Sequence, residues 1–302
     1  PWLAVDLGRD REFGGVTLVW SRGRGAPAYR LEARRAGEDI ADVTLVGDAN
    51  RIAKLCDEFR LDRTVFDVVD EEDELRAGRE AVRLVRDGEA DVLMKGLIGT
   101  DKYMKLILDK ERGLLPPKAV LSHVTVLDVP AYQEAHGKLL FVADVAIIPA
   151  PDLPTKVQIT QYVIDAAHAF GIAEPRVALL AATEKVNAKM PACTDAAVIT
   201  QMNRRGQIKG ALVDGPLALD VALSPEACAI KGLESPVGGA ADGLVFPDIE
   251  TGNVFYKSAT ILGRGRLAAA VVGTPAPCVL TSRADDEESK FLSIALGCRL
   301  VK

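Results

Sequence analysis

Short apolar runs alternate with longer amphipathic stretches along the chain from about residue 43 onward. The apolar runs are rich in Val and Leu, and they predict strands at residues 43–47, 64–69, 90–96, 119–129, 139–148, 176–182, 208–213, 243–246, 267–272 and 279–282. Between them, apolar residues recur at roughly the helical period and predict helices at residues 50–59, 72–87, from 100 onward, 154–170, from Thr194 or Asp195 to 206, 225–230, 251–262 and 285–296. This alternation favours an α/β fold with mostly parallel sheets covered by helices.

The number of predicted strand–helix units is larger than one open sheet commonly holds. We therefore expect two three-layer α/β lobes with a cleft between them. Two proline-rich segments, residues 149–154 and 273–277, are the predicted junctions.

Composition and charge narrow the class of protein. Hydrophobic residues make up 48% of the chain and charged residues 26%, as in an ordinary globular protein. No apolar run approaches the ~18 residues of a membrane span, and the net charge of -6 argues against nucleic acid as a partner. The five cysteines are scattered, without a Cys-x-x-Cys pair, and the first residues lack the features of a signal peptide. We therefore expect a cytoplasmic protein with reduced thiols.

Polar or glycine-bearing turns directly after predicted strands are the places to look for chemistry. In open parallel sheets, ligands bind beyond the carboxyl ends of strands, where the free N–H groups of helix N-termini attract anions. One such turn carries Lys95, Gly96 and Thr100; a second carries Asp214 with Gly215-Pro216. An ordinary turn with a surface lysine, or a bare Gly-Pro turn, is the alternative explanation of each.

Two further turns lie near the C-terminus. Residues 246–257 open a helix with Thr251, Gly252 and Asn253, and Lys257 follows one turn later, although helix capping alone could explain Thr251 and Asn253. Residues 281–288 place Ser282 and Arg283 at the tip of a predicted strand, where a guanidinium suits bidentate phosphate binding. Together these turns predict a cleft that accepts phosphate groups.

Several other classes of site are absent from the sequence. The glycines do not complete the Gly-x-Gly-x-x-Gly fingerprint of dinucleotide binding, and no Gly-x-Ser-x-Gly elbow exists. The three histidines lack the spacing of metal ligands, so we predict no metal site. His123, which follows Ser122 in a predicted strand, is the one histidine expected near the cleft.

At these same turns the chain resembles the phosphate acetyl/butyryltransferase family. The similar stretches are ADVLMKG (90–96), SHV (122–124), DVAIIPAPD (144–152), DGPLALD (214–220), SPVGGAAD (235–242), FPDIETGN (246–253), YK (256–257) and VLTSRAD (279–285). They occur in order from about residue 43 to the C-terminus, whereas residues 1–42 do not resemble the usual opening of the family.

The resemblance implies a fold, a reaction and an assembly. The fold is the isocitrate/isopropylmalate dehydrogenase-like pair of lobes, with residues 1–148 plus 274–302 in the first lobe and 149–273 in the second. The reaction interconverts acyl-CoA plus phosphate with acyl phosphate plus CoA, in a direct ternary complex without a covalent acyl-enzyme. Coenzyme A is then a substrate, no cofactor is bound, and the chain forms a homodimer or a higher homo-oligomer.

The resemblance also implies roles for individual residues. Arg283 would hold the phosphoryl group, and Ser282 would hydrogen-bond the phosphate or the developing oxyanion. Acetyl-specific relatives carry their catalytic Asp where this chain has Ser289, so the base is Asp285 or Asp286 first, with Asp214 as the alternative. The residues expected to bind substrate are Lys95, Gly96, Thr100, Lys105, Ser122, His123, Gly215, Pro216, Gly252, Asn253, Lys257 and Thr281.

The sequence leaves a choice open for both the acyl group and the function. The Thr-Ser-Arg-Ala-Asp segment and the short length are similar to butyryl-type relatives, so we expect a butyryl preference, with acetyl as the alternative. Two functions compete with the transferase: a paralogue that binds CoA or acyl phosphate without turnover, and a dehydrogenase on the same fold. The dehydrogenase would need clustered metal-binding aspartates and a nicotinamide site, which the sequence lacks.

Overall fold

The computed structural model describes residues 3–5, 16–23, 26–35, 38–41, 43–96, 98–280 and 287–301. The chain divides into two compact units, essentially Pro1–Leu114 and Leu115–Leu300. The lobe boundaries expected at residues 148/149 and 273/274 are a different division of the chain and stay a prediction. None of the described helices combines the length and the apolar character needed to cross a membrane.

The first unit begins with an antiparallel sheet of sequential strands, β1 (Leu3–Val5), β2 (Val16–Gly23), β3 (Ala26–Arg35) and β4 (Glu38–Ala41). β5 (Val43–Gly47) and β6 (Phe66–Asp70) then pair in parallel, as the βα alternation predicts. The remaining elements of the unit are α1 (Ala49–Phe59), α2 (Glu74–Arg86), β7 (Leu93–Met94) and α3 (Thr100–Ile107). Asp48 and Asp73 cap α1 and α2 by accepting hydrogen bonds from backbone N–H groups of the first turns.

A seven-stranded sheet forms the centre of the described part of the second unit. Its strands are β8 (Ser122–Asp128), β9 (Leu140–Ala143), β10 (Arg176–Leu180), β11 (Leu212–Leu217), β12 (Gly243–Val245), β13 (Arg266–Val272) and β14 (Cys278–Val279). They lie in the order β11-β10-β12-β9-β8-β13-β14. β11, β10, β12 and β9 are parallel, whereas β8, β13 and β14 join by antiparallel pairing. The sheet is therefore mostly parallel in direction, with β8 and β14 reversed.

Helices cover both faces of this sheet. They are α4 (Pro130–His136), α5 (Leu153–Ala169), α6 (Pro191–Arg204), α7 (Leu219–Leu223), α8 (Pro225–Lys231), α9 (Ile249–Ile261) and α10 (Glu287–Leu300). Along β9, Phe141 and Ala143 belong to the core that contains α5, α6 and α10, whereas Leu140 and Val142 belong to the core that contains α4, α7 and α8. Successive side chains of a strand point to opposite faces. The strand is thus buried from both sides, and the predicted three-layer α/β architecture is confirmed for this unit.

Several predicted elements differ from the structure. The segment between the strands predicted at 119–129 and 139–148, for which the sequence predicts no helix, is the helix α4, which begins with Pro130 at its first position and ends where Gly137 takes a φ of 65°. α6 begins at Pro191 rather than at a cap by Thr194 or Asp195. β11 runs to Leu217, so the Gly215-Pro216 pair lies inside the strand. An edge strand tolerates proline because it has a neighbour on one side only.

Burial of the cysteines gives a direct chemical test of this fold. Cys56, Cys193, Cys228 and Cys278 are buried, whereas Cys298 on α10 is partly exposed. Burial, together with the charge of Asp220, raises the pKa of the Cys228 thiol and disfavours its reactive thiolate. We expect a thiol reagent to label Cys298 in the folded chain at least about tenfold faster than the other four thiols, and all five in guanidinium.

The labelling is measured by absorbance of the released reagent product, and the variant Cys298→Ser is expected to lose the fast phase. A fast phase that persists in this variant, or that contains more than one thiol, would contradict the described packing.

Candidate active site

A buried carboxylate, Asp144, directly follows β9 at the carboxyl edge of the sheet and is 2% exposed. Its Oδ2 accepts hydrogen bonds from Ser122 Oγ at 2.8 Å and from the backbone N–H of His123 at 2.9 Å. Its Oδ1 accepts from the backbone N–H groups of Ala146 and Ile147, both at 2.8 Å. Since β8 and β9 are antiparallel, the start of one meets the end of the other. The carboxylate therefore ties the start of β8 to the loop that follows β9.

The first turn of α9 contacts the same loop through two predicted site residues. Asp248 caps the helix by accepting a hydrogen bond from Thr251 N at 2.8 Å. Gly252 lies so close to the backbone that a Cβ there would be 2.4 Å from Asp144 O and 3.2 Å from Val145 Cα. Asn253 Nδ2 donates to Val145 O at 3.1 Å, which uses one of the two amide protons. The first turn of α9 is thereby fixed beside residues 144 and 145, and its Ile249 and Thr251 N–H groups donate to Pro149 O and Asp248 Oδ1.

These contacts bring four of the predicted substrate-binding residues together. Ser122, His123, Gly252 and Asn253 all contact residues 144 and 145, and with Asp144 and Val145 they form what we name the Asp144 corner. The His123 ring is mostly buried, and its Nδ1 lies 3.2 Å from Thr125 Oγ1. Because Ser122 Oγ–H and the His123 N–H donate to Asp144, the groups of the corner that suit a developing oxyanion are the His123 imidazole and the Asn253 amide, which gives one of its two protons to Val145 O.

Asp214, Gly215 and Pro216 lie elsewhere, within the edge strand β11 rather than in a turn after it. Asp214 Oδ2 accepts a hydrogen bond from Ser235 Oγ at 2.7 Å, and its Oδ1 is 3.8 Å from the Arg204 guanidinium. A Cβ on Gly215 would lie 2.7 Å from Leu179 Cβ, so this glycine serves close packing between strand neighbours. β11 is three strand spacings, roughly 14 Å, from β9. The structure thus does not bring Asp214 to the Asp144 corner.

The first unit carries the predicted residues of the turn between β7 and α3. Lys95 is 6% exposed, and its Nζ donates to Gly96 O at 3.2 Å and Ile98 O at 3.1 Å. The alternative of a surface lysine in an ordinary turn is therefore wrong for Lys95. Thr100 is the first residue of α3, and Lys105 is exposed on the same helix. The ammonium group of Lys95 stabilises the turn that precedes the N-terminus of α3.

The remaining predicted residues are Lys257 and those of the segment 281–286. Lys257 is exposed on α9, one turn beyond Asn253, with its Nζ 5.9 Å from the centre of the Tyr256 ring. Thr281, Ser282, Arg283, Asp285 and Asp286 lie outside the described residues. Their roles stay predictions.

A pocket of about 560 Å³ in the first unit contains none of the predicted site residues. β6, α2 and α3 line it with arginines and carboxylates, among them Arg83, which pairs with Glu80 at 2.8 Å, and Arg76, which pairs with Glu71 at 3.0 Å. The pairing with Arg83 lowers the pKa of Glu80. Arg76, Arg83 and Arg86 of this pocket form ion pairs, whereas the described residues show no ion pair for Arg79 or Arg112.

Comparison with known proteins decides the family. The profile of the family described as Phosphate acetyl/butaryl transferase matches residues 76–298, which is more than half of the chain. The chain belongs to this family. It is an enzyme of the acyltransferase class, as the sequence motifs predict.

Named relatives of this acyltransferase carry both butyryl and acetyl specificities. The chain is 45% identical to a phosphate butyryltransferase of Clostridium acetobutylicum, over 88% of this chain and 86% of the relative. It is 40% identical to a phosphate acetyltransferase of Thermotoga maritima, over 86% of each chain. A solved structure, the branched-chain phosphotransacylase from Enterococcus faecalis V583, is 34% identical and superimposes with a TM-score of 0.72 over 86% of this chain and 99% of that one.

These likenesses confirm the predicted family, the α/β fold class that phosphotransacylases share with dehydrogenases, and the acyltransferase class. Sequence reasoning did not include Asp144 among the site residues of this acyltransferase. The signal was present, because Asp144 interrupts the apolar run 139–148 at the point where the strand ends.

Proposed function

We propose that the chain interconverts acyl-CoA plus inorganic phosphate with acyl phosphate plus CoA, with butyryl as the preferred acyl group. Membership of the phosphate acetyl/butyryltransferase family carries this proposal. The butyryl preference is supported by the 45% identity to a phosphate butyryltransferase over nearly the whole chain, and by the Thr-Ser-Arg-Ala-Asp segment at residues 281–285. Acetyl is the second candidate, because a phosphate acetyltransferase is 40% identical.

The proposed transfer is direct, within a ternary complex of enzyme, CoA compound and phosphate compound. In one direction a phosphate oxygen attacks the thioester carbonyl, the C–S bond breaks, and the CoA thiolate leaves and takes up a proton. In the other direction a base removes that proton, because a thiol of pKa ~8.5 is only a few per cent ionised at neutral pH. The fully buried Ser122 hydroxyl, which already donates to Asp144, is poorly placed to act as a covalent nucleophile, and this supports direct transfer.

Arg283 and Ser282 would hold the phosphoryl group, Asp285 or Asp286 would act as the base, and Thr281 would complete this segment. The Asn253 amide of the Asp144 corner would face the acyl carbonyl or the phosphate, since developing negative charge is stabilised by fixed N–H groups. Lys95 and Lys105, with the N-terminus of α3, would attract the phosphates of CoA.

The setting of the enzyme is part of the same proposal. We propose that it works in the cytoplasm as a homodimer or larger homo-oligomer, with CoA as a substrate and without a bound cofactor. None of the five cysteines, all of which lie in the described part of the chain, forms a disulfide, and this fits a reducing compartment.

The decisive experiment follows CoA release with a thiol reagent after phosphate is added to acetyl-, propionyl-, butyryl- and longer acyl-CoAs. We expect release that depends on phosphate, with the highest kcat/KM for butyryl-CoA. Each methylene contributes only ~1 kcal/mol to discrimination, so neighbouring chain lengths should differ by about fivefold or less.

A higher kcat/KM for acetyl-CoA would replace the butyryl preference by the acetyl alternative. No release with any acyl-CoA, from folded protein that binds CoA, would exclude the transferase and favour a binding paralogue. Reactions without phosphate correct for hydrolysis, and protein without acyl-CoA corrects for its own thiols.

A further inference from the structure

We propose that Asp144 is a positioning residue of the acyl-transfer site, which holds Ser122 and His123 in place against the first turn of α9. This inference rests on the proposed function, since it assigns Asp144 a part in the same reaction. Asp144 does not itself contact substrate in this proposal. Its carboxylate acts through the two residues that it orients.

The carboxylate of Asp144 is held by hydrogen bonds to both of its oxygens. Both oxygens accept two hydrogen bonds each, at 2.8 to 2.9 Å, and three of the four donors are backbone N–H groups. No ion pair with a described residue includes Asp144. A buried carboxylate is costly unless its charge is compensated, and among the described residues the groups that compensate it are one hydroxyl and three backbone N–H dipoles. The four donors thus fix the Asp144 carboxylate at the end of the sheet where Ser122, His123, Gly252 and Asn253 meet.

Asparagine cannot reproduce this arrangement, although it has the same size. All four neighbours of Asp144 point a donor at the carboxylate, so one half of an asparagine amide would face donors with its own NH₂ group. The Ser122 hydroxyl can rotate, but the backbone N–H of His123 cannot. An asparagine that keeps its oxygen toward Ala146 and Ile147 would leave the His123 N–H without an acceptor, and the start of β8 would move away.

A second buried carboxylate on the same sheet provides a matched control. Asp242 directly precedes β12, so it lies at the N-terminal ends of the parallel strands, whereas Asp144 lies at their C-terminal ends. It accepts a hydrogen bond from Arg176 N at 2.7 Å and pairs with Lys138 Nζ at 2.7 Å. Both carboxylates are buried and both bind strand ends, but the hydrogen bonds and the ion pair of Asp242 within the described ranges include no predicted site residue. Asp242→Asn therefore measures what the loss of a buried carboxylate costs this sheet in the absence of a catalytic role.

The experiment compares kcat, KM for acyl-CoA and thermal midpoint for wild type, Asp144→Asn and Asp242→Asn, with the best acyl-CoA of the panel. We expect Asp144→Asn to fold, to keep KM within about threefold and to lose about 10²-fold in kcat, because a displacement of reacting groups by ~1 Å has that effect. Asp242→Asn should lower the thermal midpoint at least as much and keep kcat within about twofold, since its ion pair is broken far from the reaction.

A double-mutant cycle with Ser122→Ala supplies the second readout. If Asp144 acts through Ser122, the losses in kcat of Asp144→Asn and Ser122→Ala will not multiply, because neighbours in one hydrogen-bond network couple. Ser122→Ala also keeps the carboxylate and three of its donors, so it tests the inference even if Asp144→Asn does not fold. In that case a several-fold loss of kcat in Ser122→Ala at unchanged KM would support the inference, and an unchanged kcat would overturn it.

Three outcomes overturn the proposal. One is a kcat of Asp144→Asn within about threefold of wild type, and another is a loss of kcat that Asp242→Asn shares, which would make the role purely structural. The third is a wild-type enzyme that shows no phosphate-dependent release of CoA, in which case the proposed function fails as well. If the wild type is active and Asp144→Asn and Asp242→Asn have equal kcat, the role of Asp144 is excluded and the proposed function stands.

Discussion

Replacing Gly252 with alanine is expected to lower both the activity and the stability of the enzyme. Alanine in place of a helix-interior glycine ordinarily stabilises a protein by roughly 0.5–1 kcal/mol. Here the added Cβ would lie 2.4 Å from Asp144 O and 3.1 Å from Phe246 Cδ2, so α9 must move away from the loop after β9. We expect the free energy of unfolding to fall by about 1–3 kcal/mol and kcat/KM to fall about 10²-fold. Urea unfolding and the CoA-release assay measure the two effects.

Gly47 in β5 is the control for this substitution. Among the described residues, a Cβ there would meet only Ile52 Cδ1, at the ordinary contact distance of 3.8 Å. We expect Gly47→Ala to change the free energy of unfolding by less than about 0.5 kcal/mol and to leave kcat/KM unchanged. A Gly252→Ala variant that is as stable and as active as Gly47→Ala would disprove the close approach of α9 to residue 144.

Replacing Arg283 with alanine is expected to produce the largest loss of activity. A guanidinium that holds the phosphoryl group stabilises negative charge that grows in the transition state, and loss of one such donor commonly lowers the rate about 10²–10³-fold. Arg283→Lys keeps the charge but not the planar fork, so we expect a loss of about tenfold. Steady-state kinetics with varied phosphate should show a raised KM for phosphate in both variants.

Arg51, exposed on α1, is the matched control for the loss of an arginine. Arg51→Ala should keep kcat/KM within about twofold, and circular dichroism should show that all three variants are folded. Activity near wild type in a folded Arg283→Ala variant would remove Arg283 from the mechanism.

The layered fold was predictable because its strands and helices carry strong local patterns. α5, with Ile159, Val163, Ile164 and Ala167 buried, shows the helical spacing directly in the sequence. α4 was missed, since its seven residues are mostly polar and only Pro130 and Gly137 mark its ends. β11 was placed too early, because Gly-Pro is typical of turns and only the pairing with β10 shows that the strand continues.

The candidate site was predictable only as far as each residue lies at the end of an element. Gly252 and Asn253 lie in the first turn of α9, and their position after an apolar run identified them, whereas Ser122, which begins β8, was identified only by the resemblance to the family. The place of Asp144 in the site depends instead on the antiparallel pairing of β8 with β9. This pairing brings the carboxylate that follows β9 to the backbone N–H of His123 in β8. Local sequence patterns do not determine which strands become neighbours, and this is why the link was missed.

The shortness of β9 has a consequence for how the enzyme can change through evolution. Its four residues alternate between two cores and end directly at Asp144, so an inserted or deleted residue would exchange the two faces and shift the carboxylate by roughly 3.3 Å. Substitution of one apolar residue of β9 by another of similar volume leaves the number of residues in the strand unchanged. Related lineages are therefore free to vary the composition of this strand, whereas its length is constrained by the position of the carboxylate.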